Sequence, residues 1–73
     1  MKIKIDRHAK RRMKWREITK EEIFLVLQNP ETVEKSYYGR ENAFKNLGKR
    51  YLRITFKRKK GYLLVISAVD KND

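Results

Sequence analysis

At 73 residues the chain is long enough for one domain, read here as residues 1–73, and too short for two cores. A chain of this size buries only about 60% of its unfolded surface. Its 20 Lys and Arg stand against 9 Asp and Glu, a formal net charge of +11. Such a field opposes compaction and draws polyanions, so nucleic acid is the leading partner class. There is no cysteine, which excludes disulfides, thiol catalysis and cysteine-ligated zinc. The longest uninterrupted apolar runs, residues 23–27 and 62–66, are too short to span a bilayer. No basic amphipathic stretch offers a membrane surface a broad apolar face. The first residues lack a signal-peptide apolar segment, so the expected location is the cytoplasm.

In chain order, residues 2–5 alternate lysine with Ile3 and Ile5, a short strand with one buried face. Residues 6–27 read as two helices joined at residues 16–18. Asp6 suits the N-cap of the first, where its carboxylate also meets the positive end of the helix. Ala9 and Met13 form a narrow apolar stripe with Arg12 and Arg16 on its flank. His8, Arg12 and Trp15 fall at i, i+4 and i+7 and share a side, while Arg7, Lys10, Arg11 and Lys14 point outward. In the second helix Thr19 and Glu22 make a capping box, and Ile18 and Ile23 sit where an apolar pair staples the entry. Ile23, Val26 and Leu27 share a face with Phe24 beside them, a mostly buried helix that Asn29-Pro30 stops. Residues 32–38 follow as a strand ending at Gly39-Arg40, and residues 43–47 as a short return strand closed at Gly48. Residues 51–57 alternate cleanly: Leu52, Ile54 and Phe56 on one side, Tyr51, Arg53, Thr55 and Lys57 on the other. A basic tip at residues 58–61 turns the chain into residues 62–69, apolar on both faces as in a central strand covered on both sides. The order β-α-α-β-β-β-β predicts an α+β domain with two helices on one sheet face.

The run His8-Ala9-Lys10-Arg11-Arg12-Met13-Lys14-Trp15-Arg16, then Ile18-Thr19, Glu22 and Asn29-Pro30, resembles a family of small uncharacterised domains. That family opens with a His-Ala-x-x-Arg-Met-x-x-Arg motif and is grouped with the RelE and BrnT toxins. Tyr38-Gly39-Arg40, Lys45 and Gly48 fit as well, so the resemblance covers nearly the whole chain. It implies a RelE-like fold, a curved, mainly antiparallel sheet with helices on one face. It also implies the role of a toxin component that binds RNA or the ribosome, cuts messenger RNA and is held by an acidic antitoxin. Two positions depart from the pattern. Glu17 stands where glycine is usual, and residues 67–73 carry Lys71 as their only cation where such nucleases often place a catalytic tyrosine or base.

Metal-independent RNA cleavage needs an activated 2′-hydroxyl, a stabilised phosphorane and a protonated leaving oxygen. Histidine transfers protons near neutral pH, and guanidinium groups match the phosphorane oxygens with paired N–H donors. The expected catalytic set is therefore His8, Arg12, Arg40 and Arg53. Arg11, Arg16, Lys45 and Lys57 are expected to hold RNA, and Tyr38 and Tyr51 to stack on splayed bases. Structural readings stand beside these. His8 can pack on Trp15 or bond to backbone, Arg12 and Arg16 can pair with Glu17, Glu21 or Glu22, and Trp15 can close the core as a lid. The residue 58–60 tip can simply be solvated and discourage edge pairing. One histidine and scattered carboxylates give no metal-ligand spacing, and the three glycines lie far apart, so neither metal nor cofactor is expected.

The expected function is thus RNA binding of the toxin type, with messenger cleavage as its sharp form. The alternative is a non-catalytic nucleic-acid-binding domain, or a degenerate relative keeping only antitoxin binding or self-association. The apolar faces of residues 62–69 make a homodimer the further partner expectation.

Overall fold

The computed structural model describes residues 2–72. Strand β1 (Ile3–Ile5) leads into helices α1 (Arg7–Arg16) and α2 (Lys20–Gln28), then strands β2 (Thr32–Lys35), β3 (Arg40–Asn46), β4 (Tyr51–Lys59) and β5 (Tyr62–Asp70). This is an α+β domain built on one open five-stranded sheet of order β1-β5-β4-β3-β2. The sheet is mixed: β1 runs parallel to β5, and the other three pairings are antiparallel. No helix among the described residues is long and apolar enough to cross a membrane.

Both helix starts are capped locally. Asp6 accepts from the backbone N–H of His8. Thr19 and Glu22 form the reciprocal box, with Ile18 and Ile23 both buried beside it. The end of α1 is a Schellman motif. Ile18 donates its N–H to the Met13 carbonyl at 2.9 Å, Glu17 donates to Lys14, and Glu17 takes the left-handed conformation at φ 57°.

The core joins Met13, Ile18, Ile23, Val26 and Leu27 to the inward residues of the sheet: Ala43, Leu52, Ile54, Phe56, Val65 and Ala68. The larger of these each gain about 1.5–3 kcal/mol on burial. Val65 and Ala68 are three apart yet both buried, which plain alternation forbids. A register shift resolves this, because Phe56 pairs with Val65 while Thr55 pairs with Ser67.

Several details differ from the sequence reading, and two are boundaries: β3 begins at Arg40 and not at residue 43, and β4 runs on to Lys59 through half of the expected tip. Strand β2 stops at Lys35, and a 3₁₀ turn at Tyr37–Gly39 occupies the rest of that expected strand, with Tyr38 at φ 60° and Gly39 at φ 73°. Strand β5 is not covered on both sides, since the helices lie over one face and Tyr62, Leu64 and Val69 remain half-exposed on the other. Helix α2 is less buried than expected, with Phe24 and Leu25 reaching solvent. Trp15 is no core lid: it is 77% exposed, because Ala9 and Met13 already fill the contact between α1 and the sheet.

A cationic-aromatic sheet face as the candidate site

Alternation along β4 sends Leu52, Ile54 and Phe56 into the core, and Tyr51, Arg53, Thr55 and Lys57 to the face without helices. Strand pairing fixes what stands beside them. Lys57 lies between Arg40 of β3 and Leu64 of β5, and Leu64 pairs with Lys4 of β1. Arg53 lies between Phe44 and Val69, and Thr55 between Asn42 and Ser67. Lys59 pairs with Tyr62, whose ring carries the Lys4 ammonium 4.4 Å from its centroid. The face therefore collects Lys4, Arg40, Arg53, Lys57 and Lys59, while the same pairings bring one carboxylate, Glu34.

Arg53 is the unusual member. Its Nε is buried and finds no hydrogen-bond partner among the described residues, between Phe44 and Val69 and beside Tyr51. A buried donor left unmet costs about 1–3 kcal/mol, more when charged. The rings of Phe44 and Tyr51 sit 6.1 Å apart in a tilted pair at this end of the face. Thr55 donates its hydroxyl to the Asn42 side-chain oxygen at 2.6 Å, filling the middle with a settled polar pair. In chemical terms the face offers guanidinium and ammonium groups for phosphates, and ring faces for bases.

The remaining predicted site residues are placed differently. Arg12 and Arg16 meet none of the carboxylates proposed for them. β1 covers β5 only from Leu63 to Val65, so the later carbonyls of that edge lack a strand partner. Arg12 donates an Nη2–H to the Ile66 carbonyl at 2.9 Å, and Arg16 an Nη1–H to the Ala68 carbonyl at 2.8 Å. The motif residues Ala9, Arg12, Met13 and Arg16 thus dock α1 onto a sheet edge, two by burial and two by hydrogen bond. Lys45 turns to the helix-bearing side, where its ammonium donates to the Asn29 carbonyl at 2.8 Å and closes the end of α2. His8 and Arg11 are exposed on α1, and Tyr38 is 86% exposed on the turn before β3. Arg40, Arg53, Lys57 and Tyr51 are brought together; His8, Arg11, Arg12, Arg16, Lys45 and Tyr38 are not part of that face. Lys4, Phe44 and Tyr62 belong to it as well, and of these only Lys4 has a local signal, since the alternation of residues 2–5 puts it opposite Ile3 and Ile5. Among the described residues no group of histidines and carboxylates is disposed to hold a metal ion.

The chain is thus a small α+β domain with one helix-covered face and one cationic-aromatic face. Residues 5–73 match the family described as Domain of unknown function (DUF4258), and the chain belongs to that family. No curated protein and no solved structure matches it.

Proposed function

We propose that the chain is a basic RNA-binding protein of the RelE/BrnT-like toxin class, acting in the cytoplasm, with the open sheet face as its RNA contact. The observation that carries this reading is the set of five cations against one carboxylate on a single face, with the Arg53 Nε unpartnered between apolar side chains. Arg40, Arg53 and Lys57 hold phosphates, and Tyr51 with Phe44 receives bases. The affinity for a single-stranded RNA is expected to fall steeply with salt, with a log–log slope of about −2 to −4 if three to five phosphates are neutralised. Replacing Arg53 and Lys57 together by alanine is expected to flatten that slope by about one to two units. A flat salt dependence in the unaltered protein would remove the nucleic-acid reading.

Messenger cleavage is the sharper form, and it asks more of the molecule. His8 is the chain's one histidine and stands on α1, while Arg40 stands two strands beyond β5. Cleavage by His8, Arg40 and Arg53 requires all three at one scissile phosphate, and the fold by itself does not bring His8 to the face that holds the two arginines. Incubation with messenger RNA, with and without ribosomes, decides it: intact RNA in both leaves a binding module. An acidic antitoxin or a second copy is the protein partner of this reading. The surface that supports such a partner is the apolar hollow between Ile3, Phe24 and Leu25, rimmed by Lys2, Lys20 and Glu21. Sedimentation over a range of concentrations tests for the second copy.

A further inference from the structure

The outer side of α1 carries a second cationic-aromatic feature that the sheet face does not use. With Arg12 and Arg16 tied to the β5 edge and Ala9 and Met13 buried, the helix is held in one rotation about its axis. Arg7, Lys10, Arg11 and Lys14 are then left exposed at i, i+3, i+4 and i+7, one stripe down the solvent side. The helix contains no carboxylate. Beside the stripe stands Trp15, 77% exposed, and with Lys10, Arg11 and Lys14 it lines a shallow depression.

A large ring left in water by a chain with so little core asks for an occupant, and the cations around it define the sign of that occupant's charge. We propose that Trp15 is a stacking platform for an unpaired nucleobase, with Lys10, Arg11 and Lys14 holding the flanking phosphates. This makes the outer side of α1 a single-stranded nucleic-acid subsite separate from the sheet face. Stacking suits the geometry because every base offers a π-face, while the bases of a duplex are closed to a side chain approaching from outside. Cations one helical turn apart follow a backbone and leave the ring free for the base. An anionic membrane is the rival polyanion, but an interfacial helix inserts a broad apolar face, and the solvent side of α1 offers one indole. The inference shares with the function proposed above only the class of partner.

Trp15 is the chain's only tryptophan, so the protein's indole fluorescence reports on this side chain alone. The full chain is titrated with a short oligouridylate, with an RNA duplex of equal length and with phosphatidylserine vesicles, and binding is followed in parallel by anisotropy of labelled RNA. Saturable quenching by the single strand, kept in the Arg53→Ala, Lys57→Ala double variant and absent with the duplex, is the expected result. Trp15→Leu is expected to weaken single-strand binding roughly tenfold. Binding seen by anisotropy with unchanged Trp15 emission overturns this inference and leaves the sheet face standing. Equal quenching by the duplex, or an emission change with vesicles alone, also overturns it. Absence of any RNA binding removes both readings.

Discussion

The two faces of the sheet come from the same strands, and β4 separates them residue by residue. On the helix side Leu52, Ile54 and Phe56 are buried, and some of the charges at that side's margins have partners. Arg58 meets Glu41 at 2.6 Å, Arg50 lies 3.7 Å from Glu22, and Lys45 bonds the end of α2. On the open side Arg40, Arg53 and Lys57 make no side-chain hydrogen bond among the described residues. Local neutralisation, where it occurs, serves the fold. Where it stops, the surplus charge is free for the proposed partner, and it stops along the open face and again down the outer side of α1. A polybasic chain whose charge only kept it dispersed would have no reason to hold a guanidinium between Phe44 and Val69.

That contrast predicts opposite behaviour for adjacent residues. Ile54→Ala opens a cavity in the middle of the core and is expected to destabilise the protein by about 3 kcal/mol, near the whole stability of a domain this small. Arg53→Leu, its neighbour on the other face, removes an unmet donor. It is expected to leave stability unchanged or raise it slightly, while lowering RNA affinity roughly tenfold. Urea denaturation and RNA titration of both variants read the two halves. If Arg53→Leu unfolds the protein as readily as Ile54→Ala, the two faces do not differ as described.

Helix α1 sharpens the contrast on a smaller scale, since its two sides divide its own cations. Arg12→Met and Arg16→Met each leave a β5 carbonyl unpaired at the sheet edge, for an expected loss of about 1–2 kcal/mol. Arg11→Met, from the same helix and with the same change of charge, is expected to cost less than about 0.5 kcal/mol. Equal urea midpoints for Arg11→Met and Arg12→Met would mean that the bond to Ile66 contributes nothing.

What could be read from sequence divides by distance along the chain. The Thr19–Glu22 box, the Asp6 cap and the alternation at residues 51–57 involve neighbours a few positions apart, and each is where the pattern puts it. The roles of Arg12 and Arg16 were not readable, because their acceptors lie 54 and 52 residues away on β5. Their i, i+4 spacing is equally consistent with phosphate contacts or with carboxylate pairs. Helical periodicity marks Trp15 as amphipathic but cannot tell that Ala9 and Met13 suffice to seat the helix. The parallel pairing of β1 with β5 and the register shift at Thr55/Phe56 depend on which strands meet, information that no local window contains.

Glu17 gives the smallest expected effect, and it concerns the joint that sets how α1 is presented. A side chain at φ 57° pays a steric penalty of roughly 1 kcal/mol that glycine escapes. Glycine also frees the unfolded chain, which returns part of that gain. Glu17 makes no side-chain hydrogen bond or ion pair among the described residues, so little else is lost with it. Glu17→Gly is therefore expected to stabilise by about 0.5–1 kcal/mol, a rise of a few degrees in melting temperature for a domain of this length. The Schellman bond from Ile18 to Met13 is kept, so the docking of Arg12 and Arg16 is unchanged and RNA affinity should move only by the one charge removed. A fall in stability would mean that the Glu17 carboxylate contributes more, through the positive potential around Lys14, Arg16 and Lys49, than its backbone conformation costs.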